Sequence, residues 1–223
     1  LYYIPAQPAL GKYNAQFGDK AYLVEERPDD DLWGKEASFD NAEDIISTSK
    51  MLAHIRHSHK HVLDHQAMAR ARAFDILIGD WDRHDDQWRW IVNKKDDGRT
   101  YYSPIPRDRD QAFSHYDGAL LGLARMLVPD TRPLAPFKAK PNAIHWSTHG
   151  NRFFDATFLA GIDRETWKRE ARHLQATVTD EVIEAAFKET WPEEIYRADA
   201  AQIIATLKGR RDNLIDLVTE LYE

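Results

Sequence analysis

The sequence contains no cysteine. That excludes disulfides, thiolate catalysis and cysteine-ligated zinc, and it leaves the redox compartment open. No apolar run approaches the roughly 20 residues that cross a bilayer, and no signal peptide is visible at the start. Because the chain begins at Leu1, we expect a piece of a longer protein, so a missing leader carries no information. Internal repeats and low-complexity tracts are also lacking. Positive charge is in deficit: 30 Lys and Arg stand against 37 Asp and Glu, a net charge of −7, and the bases are scattered. This balance argues against nucleic acid as the main partner. What remains is ordinary core material, 43% hydrophobic over 223 residues. That suffices for one large domain, or a domain with a remnant of another.

Local patterning places a little β structure early and helices through most of the chain. Tyr22-Leu23-Val24 is a short β-type run ended by Glu25-Glu26-Arg27-Pro28, and the acidic residues 28–31 read as a linker. Asp40 or Asn41 is placed to cap a helix starting near Ala42, and Ser47 or Ser49 the next, through Met51, Leu52 and Ile55. Asp64 caps a third helix with Ala67, Ala71, Phe74 and Ile78 on one stripe, and Gly79 ends it. Residues 87–92 and 99–103 are strand-like, and Asp96-Asp97-Gly98 between them is hairpin chemistry, since Asp-Gly favours positive φ. Pro129, Pro133, Pro136 and Pro141 predict irregular chain over 127–142. Further on, Asp163 caps a stripe of Trp167, Ala171, Leu174 and Val178. Asp180 caps one with Ile183 and Phe187 that stops at Pro192, and a final helix carries Ile203, Leu207, Leu214 and Leu221. The fold class is therefore mainly α with a small β component, α+β.

Two acidic clusters flank the expected hairpin. The first is Asp80-Trp81-Asp82-Arg83-His84, followed by Gln87. The second is Arg107-Asp108-Arg109-Asp110. A hairpin folds the chain back, so both clusters belong at its open end. Converging carboxylates repel and need a cation or a proton to coexist. Hard oxygen ligands suit Mg²⁺ or Mn²⁺, and Mg²⁺ accepts a few protein ligands when phosphates supply the rest. A carboxylate off the metal can orient a hydroxyl for attack on phosphorus. The plainer alternative is a pair of solvated turns with weak Asp–Arg pairs, and Trp88 and Trp90, alternating on a strand, are equally good core residues.

The run Ile78-Gly79-Asp80-Trp81-Asp82-Arg83-His84 with Gln87 resembles the catalytic loop of atypical protein-kinase-like enzymes. The spore-coat CotH kinases are nearest in local pattern. HipA-type kinases, the secreted Golgi casein kinases and the phosphatidylinositol kinases have related loops. The stretch Tyr101-Tyr102-Ser103-Pro104-Ile105-Pro106-Arg107-Asp108-Arg109-Asp110-Gln111-Ala112-Phe113 is similar to the CotH motif that follows such a hairpin. Residues 22–27 look like the strand and hinge between the lobes of HipA-like kinases. The resemblance covers residues 21–113 and implies a kinase-like C-lobe over 35–223, preceded by an N-lobe remnant and hinge over 1–34. It implies Asp82 as catalytic base or hydroxyl-orienting group. Gln87 takes the place of a metal-binding Asn, Asp108 that of the metal aspartate, and Asp110 assists. Arg83 and His84 would brace the loop. ATP and Mg²⁺ or Mn²⁺ are the implied cofactors, a hydroxyl compound or protein the acceptor. Lys12, Lys20 and Glu25 are the groups available for the nucleotide, although no glycine-rich loop accompanies them. The chain also resembles the region that follows a calcineurin-like phosphoesterase domain in bacterial surface proteins. That likeness implies a neighbouring domain and a location in the bacterial cell envelope or outside the cell.

Three other readings compete. Gly79-Asp80-Trp81-Asp82-Arg83 is similar to a metallophosphoesterase motif but one residue short, and the accompanying histidine motifs are missing. His54, His57, His61 and His65 would share a face, and with His59 suggest zinc, if one helix ran through them. A non-catalytic kinase-fold module that binds a partner or an adjacent domain is the third.

Overall fold

The computed structural model describes residues 2–22, 42 and 44–223. Glu25, the hinge-like residues 23–27, the acidic linker and the capping candidates Asp40 and Asn41 lie outside the described residues. At the N-terminal end, β1 (Tyr2–Ile4) pairs antiparallel with β2 (Lys20–Tyr22), with the short α1 (Asn14–Phe17) between them.

The second sheet holds β3 (Ile45–Ser47), β4 (His61–Leu63), β5 (Trp88–Lys94) and β6 (Thr100–Pro106) in the order β3-β5-β6-β4. β5 and β6 form the expected hairpin, in register from Trp88 opposite Pro106 to Lys94 opposite Thr100, with Gly98 at φ +76° in its turn. β3 joins β5 antiparallel, and β4 joins β6 in parallel. The helix expected from Ala42 is thus corrected: Ile45–Ser47 is a strand. Its β-branched Ile45 and Ile46 bury against the hairpin, and sheet pairing outweighs a weak local propensity.

Ser47 then caps α2 (Thr48–His57), accepting from the Lys50 N–H at 3.4 Å. α2 stops at His57, and His61 belongs to β4. The four histidines therefore do not share one helix face. Asp64 caps α3 (His65–Ile78) through the Ala67 N–H, and Gly79, at φ +74°, ends it. The expected stripe is displaced: of its members only Ile78 is buried, while Ala67, Ala71 and Phe74 are half-buried. Met68, Ala69, Ala73, Ile76 and Leu77 are the deeply buried apolar positions, and α3 is enclosed on most sides.

The remaining helices are α4 (Ala119–Leu127), α5 (Ile144–Ser147), α6 (Arg152–Phe158), α7 (Arg164–Thr177), α8 (Asp180–Thr190), the short α9 (Glu193–Ile195), α10 (Ala201–Asp212) and α11 (Leu214–Tyr222). A π-helical turn, Tyr196–Ala200, joins α9 to α10. Asp163 caps α7 as expected, and α7 buries Trp167, Ala171 and Leu174. Two details change. Thr179, not Asp180, caps α8, leaving the Asp180 carboxylate for Arg211 and Lys208. The single C-terminal helix is two, broken at Asn213. Sheet and helices share one core: the Trp88 ring stacks on Phe154 at 5.1 Å, and Trp90 meets Phe158 at 5.3 Å. The class is mainly helical with a small mixed sheet, and no described helix is long and apolar enough to cross a membrane.

Candidate functional site

The site is built at the open end of the β5–β6 hairpin. The loop after α3 enters β5, and the loop after β6 returns to the end of α3. The Arg107 N–H donates to the Gln87 carbonyl at 2.9 Å, extending the ladder by one rung, and the Phe113 N–H donates to the Ile78 carbonyl at 3.0 Å, closing the circuit. Phe113 accepts a left-handed backbone, φ +59°, that an aromatic residue rarely adopts. Its ring is held between Phe137 and Phe187.

Arg83 sits at the centre and is fully buried. Its Nη1 donates to Asp80 Oδ2 at 3.1 Å, Gln87 Oε1 at 3.1 Å, the Arg107 carbonyl at 2.6 Å and the Asp108 carbonyl at 3.3 Å. Nη2 donates to the Gln87 carbonyl. Its Nε lies 3.3 Å from Asp75 Oδ2, close enough for charge attraction but at an angle that makes no hydrogen bond. The guanidinium also lies over the Trp88 ring at 4.9 Å. A planar fork of five donors can tie two loops together in this way; an ammonium cannot. Asn151, just before α6, clamps the same loop. Its Oδ1 accepts from the Arg83 N–H at 2.8 Å, and its Nδ2 donates to the Trp81 carbonyl.

The structure therefore brings Asp82, Gln87 and the Asp108 main chain together around one cation, which is a side chain. Gln87 Nε2 reaches Asp82 Oδ2 at 3.5 Å. Asp108 adopts φ +56°, a conformation Asp tolerates better than most residues. Its side chain is exposed, as is that of Asp110, while Asp82 is half-buried. His84 is exposed, and Arg83 with Asn151 braces the loop. Among the described residues no three His, Asp or Glu side chains are placed to hold one metal ion. Asp82, Gln87 and Asp108 fit a hard divalent ion only where phosphate oxygens complete its shell.

Behind the loops lies a charge network that local periodicity does not reveal. Buried Asp75 on α3 faces three guanidinium groups, Arg72 at 3.3 Å, Arg83 at 3.3 Å and Arg109 at 3.2 Å. Arg72 in turn holds Asp155 through two parallel hydrogen bonds of 2.9 and 3.0 Å. Asp80 has a share of Arg83 and accepts from the Asp82 N–H at 3.3 Å. Burial, offset in part by Arg83 and reinforced by the Asp75 charge, pushes its carboxyl up to about 7. Asp75 stands in the run Phe74-Asp75-Ile76-Leu77-Ile78. A lone carboxylate among four apolar residues marks a buried, partnered charge, and that signal was available in the sequence.

Other predicted residues lie elsewhere. The Lys20 ammonium donates to the Gln16 carbonyl at 2.7 Å, and Lys12 lies over the Tyr13 ring at 5.1 Å. Among the described residues neither lysine is brought to Asp82 or Asp108 by a hydrogen bond or ion pair. His54 and His61 both face the buried Tyr102 hydroxyl, at 2.9 and 2.8 Å through their Nδ1 atoms. Burial, then the charges of His54 and His57, lower the His61 pKa.

No family model, curated protein or solved structure matches the chain.

Proposed function

We propose that this domain is a kinase-like lobe that transfers the ATP γ-phosphate to a hydroxyl with the aid of Mg²⁺ or Mn²⁺. One observation supports the reading above others: at the open end of one hairpin Arg83 holds Gln87 and the Asp108 carbonyl, and Gln87 in turn reaches Asp82. In this reading Asp82 orients the acceptor hydroxyl and receives its proton. Gln87 Nε2 approaches Oδ2 at 3.5 Å, and Oδ1 would be the oxygen that meets the acceptor. Gln87 Oε1, with one lone pair spent on Arg83, would give the other to the ion, with Asp108 and Asp110 beside it. A bound ion would neutralise phosphate charge. Arg83 keeps the two loops at a fixed spacing and stays buried throughout.

The reading is tested by nucleotide turnover. Asp82→Ala and Asp108→Ala should each abolish ATP turnover while the circular dichroism spectrum stays that of the parent. Turnover equal to the parent in both variants would dismiss it.

A second reading is a non-catalytic kinase-fold module, lodged beside a metallophosphoesterase domain in the bacterial envelope or outside the cell. The local contacts of Lys12, over the Tyr13 ring, and of Lys20, on the Gln16 carbonyl, favour it, since a kinase directs a lysine at the phosphates. ATP with Mn²⁺ should raise the melting temperature of a competent site and leave that of such a module unchanged.

A further inference from the structure

On the far side of Gly79 and Trp81 lies a cleft of about 330 Å³ whose walls carry Arg125, Arg132, Lys138 and Arg210 and, among the described residues, no carboxylate. Four cations in one concavity run against the chain's net charge of −7. Like charges converge only at an electrostatic cost, so something outside the described chain is expected to compensate them.

The placement of each group supports this. Arg210 is 3% exposed. Its Nε donates to the Ile76 carbonyl at 2.6 Å and its Nη1 to the Lys138 carbonyl at 2.8 Å, while its plane lies over the Phe137 ring at 5.1 Å. Carbonyl dipoles hold it but do not cancel its charge, and burial pushes its pKa down to about 10. Arg125 is likewise held by main-chain carbonyls, those of Leu134 at 2.6 Å and Tyr116 at 3.4 Å. Arg132 lies over the Trp146 ring at 5.2 Å. Among the described residues none of the four has an Asp or Glu partner. Two cleft-lining side chains also hold a buried N–H with no acceptor, Trp81 at Nε1 and Arg132 at Nε. Missing acceptors and missing negative charge point to the same kind of ligand.

We propose that this cleft binds an organic anion, a phosphate or carboxylate group attached to a flat apolar body. The anion meets the Arg132, Lys138 and Arg210 cations. The body lies between Trp81, Phe137 and Trp146, the aromatic residues of the wall. The site stands whether or not Asp82 transfers phosphate, because none of its cations belongs to the Arg83 cluster.

Isothermal titration calorimetry of the whole chain at low salt tests it, with phenyl phosphate and benzoate as probes. Saturable binding of either supports the site, and their ranking identifies the preferred anion. Inorganic phosphate should bind more weakly for want of the ring, and phenol more weakly for want of the charge. Arg132→Gln should weaken binding of the better probe about tenfold. Its melting temperature should stay near that of the parent, because among the described residues the Arg132 side chain is held by its place over the Trp146 ring and its Nε has no acceptor. Arg210 is unsuitable as the sole variant, since it supports the end of α3. Lys138→Gln, at an exposed position, serves as the second and should also weaken binding. Either of two results would overturn the site: no saturation by either aryl anion up to about 10 mM, or affinities unchanged in both variants.

Discussion

At the scale of single residues, Arg83 decides whether there is a site at all. Removing one partner of a buried charged cluster leaves the others uncompensated, at a cost of about 3–5 kcal/mol. Arg83→Ala should therefore lower stability by about that amount in urea titrations. Arg83→Lys should recover little of it, because one ammonium cannot meet Asp80, Gln87 and two carbonyls together. Asp80 makes a prediction about pH. In the folded chain it keeps its proton up to about pH 7, whereas in the unfolded chain it ionises near pH 4. Between those limits the folded state binds more protons, so the Asp80 contribution to stability falls as pH rises. Asp80→Asn should remove that slope, worth roughly 2–4 kcal/mol across the window. Urea midpoints at pH 5 and pH 8 measure it. A variant that retains the parent's slope would assign the effect to another group.

At the scale of elements, the end of α3 is the tightest joint. Gly79 is left-handed at φ +74°, and a Cβ there would lie 2.6 Å from the Phe137 ring. The backbone alone would cost Gly79→Ala about 1–2 kcal/mol, and the collision adds to it. Asp163→Ala should cost about 1 kcal/mol through the lost α7 cap, and thermal melts should separate the two variants by size. Elements with local signals were legible in the sequence. Asp64, Ser47 and Asp163 carry their caps in their own side chains, and the Asp-Gly turn states its own backbone. The strands β3 and β4 were not legible, because three-residue strands owe their existence to the hairpin they lean on. The same division holds at the site. That the two acidic loops would meet followed from the hairpin. That the meeting point would be a buried arginine backed by Asp75 and Asn151 required tertiary contacts from α3 and from the chain before α6.

For the molecule as a whole, the sheet and the helices cannot come apart independently, because Trp88 and Trp90 are buried against Phe154 and Phe158. Tryptophan fluorescence and far-ultraviolet circular dichroism should then report coincident urea transitions. Trp90→Ala, which opens a cavity at that seam, should cost about 3–5 kcal/mol in both signals. The β5–β6 ribbon also separates its two ends in purpose. One end carries Gln87 and Arg107, and the other ends in a turn where Gly98 has open space around it. Seven residues of strand lie between, about 20 Å at the usual rise. A fluorophore or an epitope grafted at that tip would ride on the scaffold of the two acidic loops without touching them, and so give a handle for watching ligands arrive.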